Sequence, residues 1–501
     1  MAVRSSSLGL IFAAAAALSL FACGQNSSEL TRVGVIGPEP RLVETVTAPL
    51  TKGEALIRAN VAQGLVRFDE RGQVVPGIAE RWNVSDDGLS YIFRLQTGEW
   101  PDGRKIKADD VARILSRQLR SGSKNPLRDT LGAVDEIVAM TDRVIEIRLN
   151  AARPNLLQLL AQPEFGLVRA SVGTGPFQPV TAKDLSQLPE RVRQLPGMFL
   201  AHRIRIPDAE DPVEKVHVRG GTAQKLVAAF ADGEIELVLG GTVGDLPYAF
   251  RAKMPRGARR FDPVAGLFGL APTKRSETMQ ERDVRRLLSR AIDREALIAG
   301  LHVGGLQPRA TILQAGLEGL PPPAQPDWLG QPAIERRQLL VAEAQRLFGD
   351  AERTPVRVHL PAGPGGDYLL ERLRYDWGPL GVGVELASTP ASADLAWIDE
   401  VAPSFSPAWF LRNFRCAVVP VCLEEADLLL EQARETSDSG KRAQLFLEAA
   451  QMMDEAQLFI PIAAPIRWSL VSGRAPGFAE NPFARHTFVG LAEIDTRGGL
   501  R

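Results

Sequence analysis

Asn60 to Val111 reads NVAQGLVRFDERGQVVPGIAERWNVSDDGLSYIFRLQTGEWPDGRKIKADDV, and the order of its turns, strands and helix start decides the fold. Alternating Trp82 and Val84 precede the turn Asp86-Asp87-Gly88, and alternating Tyr91, Phe93 and Leu95 follow it, the period-two signature of a β-hairpin. In Trp100-Pro101-Asp102-Gly103 the proline presets φ and the glycine takes a conformation that other residues disfavour, which predicts a second turn. Ala108-Asp109-Asp110 then offers acidic groups to a helix N-terminus, with Val111, Ile114, Leu115 and Leu119 as the buried face.

This order resembles the family 5 solute-binding proteins of ABC importers, the dipeptide, oligopeptide and nickel receptors. Gly64-Leu65, Pro76-Gly77-Ile78-Ala79-Glu80, Trp82, Asp87-Gly88, Tyr91, Phe93, Leu95, Trp100, Asp102-Gly103 and Ala108-Asp109-Asp110-Val111 stand in register with that family's fingerprint. The similarity continues through Gly173-Thr174-Gly175-Pro176-Phe177, Ala231 to Glu236, Asp283 to Leu297, Leu373 to Leu386 and Lys441 to Pro461. In the Asp283–Leu297 stretch, Val284, Leu287, Leu288 and Ala291 form one helical face, and Asp293 suits the cap of a second helix.

The resemblance implies an α/β, two-lobed periplasmic-binding-protein-like fold of type II, with a side domain inserted in the first lobe. Residues 30–52, 171–265 and 465–501 are expected to form lobe I, 53–170 the side domain, and 266–464 lobe II. Such lobes close on a ligand in the cleft between them. Leu320–Pro332 and Pro361–Gly366, rich in proline and glycine, read as surface loops.

Arg4 followed by the apolar run Leu8–Ala22 is too short for a membrane span and suits a secretory signal over residues 1–22. Leu20-Phe21-Ala22-Cys23 resembles a lipobox, which would make Cys23 the lipid-bearing mature N-terminus and 23–29 a tether; the alternative is an ordinary signal with an incidental cysteine. The expected location is periplasmic or extracytoplasmic, as a membrane-anchored lipoprotein. Roughly 480 residues then remain, more than one core usually serves. A formal net charge of -1 without long basic runs gives nucleic acid no electrostatic footing.

Of the three cysteines, Cys416 and Cys422 remain after Cys23, and an exported chain favours a disulfide between them; two free thiols or a metal pair are the alternatives. The five histidines are scattered with no two at ligand spacing, so no metal site is expected. The sequence has no Gly-x-Ser-x-Gly elbow, His-Glu-x-x-His helix or phosphate loop after a strand, so neither catalytic residues nor a cofactor are expected and the chain does not read as an enzyme.

Ala393–Pro403 reads as a strand running out into a loop, and it resembles the family's tryptophan-acidic ligand segment, with Trp397 in the tryptophan place and Ala408-Trp409-Phe410-Leu411 following. In peptide-binding members the aspartate three residues after that tryptophan holds the ligand's α-amine; here the position is Glu400, preceded by Asp399. Val401 replaces the family's tyrosine, and Asp394 stands where some oligopeptide receptors carry arginine, which departs from the peptide pattern. Glu400 and Asp399 are therefore the candidate cation-binding pair, with Trp397 and Trp409 as walls; the alternative is two solvated loop carboxylates. The expected function is capture of a peptide or other amine-bearing solute by a monomeric receptor that delivers it to ABC permease subunits. The alternative is a lipoprotein sensor or envelope interaction module that keeps the fold without transport.

Overall fold

The computed structural model describes residues 30–169, 172–202, 214–273, 278–349 and 354–491. The signal segment, the tether and Cys23 lie outside the described residues. Strands Ala79–Val84 and Ser90–Leu95 pair antiparallel with Trp82 opposite Phe93 and Val84 opposite Tyr91. Gly88 closes their turn at φ +69°. Asp87 Oδ1 accepts from the Leu89 amide at 2.9 Å, an Asx-type bond that fixes the reversal. Tyr91, Phe93 and Leu95 are buried, whereas Val84, at the sheet's end, is 43% exposed. Trp100 is buried, and the turn after it places Gly103 at φ +80°. The helix is Ala108–Leu119, with Asp109 and Asp110 in its first turn but no side-chain cap at Lys107. Val111 and Leu115 are buried, while Ile114 and Leu119 pack at the margin of the same core.

Three larger sheets organise the described chain. A seven-stranded sheet runs in the order Phe177–Pro179, Met198–His202, Lys215–Gly221, Leu30–Ile36, Leu237–Gly241, Trp468–Val471, Arg259–Phe261. Its Leu30–Ile36 strand is parallel to both neighbours. A five-stranded sheet has the order Val384–Leu386, Val356–His359, Leu395–Val401, Gly266–Pro272, Ile460–Pro461. The hairpin belongs to a four-stranded antiparallel sheet completed by Val144–Leu149 and Val134–Thr141.

The chain leaves the seven-stranded sheet after Phe261 and enters the five-stranded one at Gly266, then returns between Pro461 and Trp468. The two crossings touch, the Asp262 amide donating to the Arg467 carbonyl at 3.0 Å. Two short adjacent crossings are where a hinge can form, because few backbone torsions connect the layers. Gly266–Pro272 is buried at all seven positions. Burying each of Leu267, Phe268 and Leu270 fully contributes about 1.5–3 kcal/mol.

Glycine is required where chain segments meet closely. A Cβ on Gly173 would lie 2.1 Å from the Val61 carbonyl oxygen, and one on Gly175 would lie 2.3 Å from that of Asn60, which explains the Gly-Thr-Gly pattern. The Pro361–Gly366 expectation needs correction. Helix Pro364–Trp377 starts inside that stretch, with Gly365 and Gly366 buried. A Cβ on Gly365 would sit 1.8 Å from the Val243 carbonyl, so these glycines admit a packed helix start against the facing layer. Proline at the first helical position, where its missing amide costs nothing, marks the same start. Asp293 caps helix Arg294–Leu301, accepting from the Ala296 amide at 3.0 Å. Cys416 and Cys422 are joined in a disulfide, with Cα atoms 5.0 Å apart.

Candidate functional site

A cavity of about 640 Å³ opens beside the two crossings. That size suits a small organic solute or short peptide. Lys52, at the first position of helix Lys52–Val61, enters from the seven-stranded side; Thr51 and Glu54 form the capping box that fixes that helix start. Asp399 and Glu400 enter from the end of strand Leu395–Val401, and Arg467 enters from the return crossing. Gln162, Glu164, Arg485 and His486 close a further wall.

Most of the charges in this cavity are already matched. Arg467 Nη1 donates to Asp399 Oδ1 at 2.6 Å and Nη2 to the Asp399 carbonyl at 2.9 Å, with the side chains only 14% and 13% exposed. Arg485 Nε donates to Gln162 at 3.1 Å, and its Nη2 lies 3.4 Å from Glu164. His486 Nε2 lies 3.3 Å from Asp262 Oδ2. Two groups differ. Glu400 is an exposed residue of the cavity lining, and its carboxylate has no hydrogen bond or ion pair among the described residues. Desolvation by the walls, followed by the neighbouring Asp399, raises its pKa above the usual carboxylate value, and Arg467 partly opposes that. Lys52 Nζ donates at 2.7 Å to the Gly240 carbonyl, which carries no formal charge. Desolvation and then Arg467 lower its pKa. Asp262 is further held by the Asn481 amide at 2.9 Å, so among the described residues the cavity leaves Glu400 and Lys52 as the anion and the cation with neither an ion pair nor a histidine partner.

Of the residues singled out from sequence, Asp399, Glu400 and Trp409 line this cavity. Their surroundings separate them, however: Asp399 is held by Arg467, whereas Glu400 has no ion pair among the described residues. Trp397 does not line the cavity. It lies two residues deeper in the strand and packs edge-on to Phe268, with ring centres 4.8 Å apart. Trp409 packs edge-on to Phe410 at 5.0 Å while still reaching the cavity. Lys52 and Arg467 escaped the sequence reading. Only a lysine directly after a capping threonine hinted at the first, since a cation at a helix N-terminus opposes the dipole. Among the described residues, no group of three or more His, Cys, Asp or Glu side chains is placed to hold a metal ion, and no helix is long and apolar enough to cross a membrane.

The comparisons agree with this architecture. The murein tripeptide binding protein MppA of Escherichia coli superposes with a TM-score of 0.75 at 16% identity, over 91% of this chain and 97% of that one. OppA of Haemophilus influenzae, in complex with RPPGFSPFR, gives 0.75 at 15% identity, over 91% and 98%. The fold is therefore the two-lobed type II fold of periplasmic binding proteins. The dipeptide-binding protein of Pseudomonas aeruginosa is 23% identical over 496 aligned residues, spanning 85% of this chain and 88% of that protein. The sequence model described as "Bacterial extracellular solute-binding proteins, family 5 Middle" matches residues 73–413. The chain belongs to the family 5 bacterial extracellular solute-binding proteins.

Proposed function

We propose that the protein is the extracytoplasmic receptor of an ABC importer that captures a peptide or similar amine-bearing solute at Glu400 and delivers it to a permease. The observation that carries this reading is the pair of unmatched charges in the hinge cavity. Glu400 suits an ammonium group, and Lys52 suits the carboxylate of the same zwitterion. A charge-assisted hydrogen bond is roughly twice as strong as a neutral one, and lobe closure strengthens it by excluding water. The relatives, a dipeptide-binding protein among them, point the same way.

The lobes proposed are residues 30–52 with 171–265 and 465–501, then 266–464, with 53–170 as an inserted side domain. The membership of the seven-stranded and five-stranded sheets supports this division. Residues 1–22 are proposed as a signal and Cys23 as the lipid-bearing N-terminus, which tethers a monomeric receptor near its permease. Native mass spectrometry of the protein from its own periplasm tests the ligand class: the released solute should react with an amine-acylating reagent, and a solute without an amine would contradict the reading. Metabolic labelling with a fatty acid should mark the wild type and not Cys23→Ser.

A further inference from the structure

A second cavity, of about 320 Å³, lies on the far side of Trp409 and Asn413, which line both spaces. Helices Pro407–Arg412, Glu424–Glu435 and Ser439–Glu455 wall it on one side, and the segment around Arg153 walls it on the other. Five arginines line it, Arg153, Arg412, Arg415, Arg434 and Arg442, against two carboxylates, Asp129 and Glu318. Asp129 pairs with Arg128 at 2.8 Å and Glu318 accepts from Asn155, and neither makes an ion pair with the five arginines, although Asp129 still acts electrostatically on Arg412 and Glu318 on Arg442. Arg415 and Arg434 share Glu431.

Arg153, Arg412 and Arg442 have no carboxylate within ion-pair distance among the described residues. Each makes one long bond to a backbone carbonyl, at 3.2 Å to Ala152, 3.5 Å to Asp129 and 3.4 Å to Thr436 respectively. Each guanidinium has five donors, so most of this donor capacity points at the cavity or at water. Three guanidinium forks without carboxylate partners around one cavity are suited to planar or tetrahedral oxyanions.

We propose that this cavity is an anion subsite adjoining the hinge cavity across Trp409 and Asn413, so that the transported solute carries an additional carboxylate or phosphate that the arginines hold. This rests on the reading of the hinge cavity as the receptor site. The electrostatics agree. Burial first, then Arg412, Arg442 and Arg434, push the pKa of Arg153 down to about 10. A bound anion relieves that mutual repulsion. Trp409, between the cavities, offers its ring to the part of the solute that joins the two charged ends.

Calorimetric titration of the mature protein with Ala-Glu, with Ala-Gln and with inorganic phosphate tests the proposal, because the two dipeptides differ in one charge. Ala-Glu should bind about tenfold more tightly than Ala-Gln. The Arg153→Gln/Arg442→Gln variant should lose that preference while keeping its affinity for Ala-Gln; Arg442→Gln alone should halve the preference on a logarithmic scale and serves where the double variant fails to fold. Phosphate that binds wild type but not the arginine variant would identify phosphate as the group. If phosphate binds in this arginine-dependent way and neither dipeptide binds, the anion subsite stands and the peptide reading of the hinge cavity falls. Equal affinities for the two dipeptides, with phosphate binding absent or indifferent to the arginines, would overturn the subsite and leave the receptor reading intact. No binding of any of the three probes would overturn it as well.

Discussion

Arg467→Gln is the most informative perturbation of the hinge. The guanidinium joins the return crossing to the end of strand Leu395–Val401 through bonds of 2.6 Å to the Asp399 carboxylate and 2.9 Å to its carbonyl, and it also bonds the Ile466 carbonyl at 2.9 Å. Opposite charges centred about 4 Å apart attract by about 4 kcal/mol at an effective dielectric near 20. Desolvating both groups offsets part of this, and the residual 14% and 13% exposure lets water reach a stranded partner. A net coupling of about 2 kcal/mol between the two side chains is therefore expected, below the 3–5 kcal/mol for breaking a fully buried pair. The assay is a double-mutant cycle by urea unfolding of the ligand-free protein, with Arg467→Gln, Asp399→Asn and the double variant followed by circular dichroism and tryptophan fluorescence. Arg467 lowers the pKa of both Lys52 and Glu400, so its removal should also raise both. Additive single effects in the cycle, each within about 0.5 kcal/mol of wild type, would refute the assignment of Asp399 as a structural partner and return it to the ligand.

Other consequences concern stability. The Asp454 carboxyl, raised by burial to about 7 from 3.8, binds an extra proton in the folded state between those values, so stability falls as pH rises from about 4 to 7. Asp454→Asn can keep the 2.9 Å bond from the Ile312 amide, and it should flatten that slope and gain on the order of 3–4 kcal/mol above pH 7, as read by denaturant melts across pH. Replacing both Cys416 and Cys422 with serine opens a short loop and should cost about 2 kcal/mol. An unchanged denaturation midpoint in that variant would show that the loop is held by its packing alone.

The sequence made the hairpin readable because its signal is local: Tyr91, Phe93 and Leu95 alternate within a single strand, and Gly88 and Gly103 stand where positive φ is needed. The Asp293 cap was readable for the same reason. Pro361–Gly366 was misread because a glycine needed for close packing against Val243 is indistinguishable in sequence from one needed for a turn. The cavity was only half legible. Asp399 and Glu400 stood out through family resemblance, but Arg467 meets Asp399 across 68 positions, and one arginine among 59 basic residues carries no mark of that pairing. Lys52 comes from a segment still more distant. The packing of Trp397 against Phe268 depends on how far along its strand the cavity opens, which alternation does not encode.

The central claim, that Glu400 is the unpaired anion receiving a ligand amine, is tested most directly by calorimetry with Ala-Ala and N-acetyl-Ala-Ala on wild type and Glu400→Gln. Wild type should bind Ala-Ala and discriminate against the acetylated form, and Glu400→Gln should weaken Ala-Ala binding by about 1.5–3 kcal/mol, roughly 10- to 150-fold, and lose the discrimination. The ligand-free variant should be at least as stable as wild type at neutral pH. The raised pKa of Glu400 means that its ionisation opposes folding as pH climbs above the usual carboxylate value. Ala-Ala binding that is undiminished in Glu400→Gln, with the acetylated form still rejected, would contradict the account.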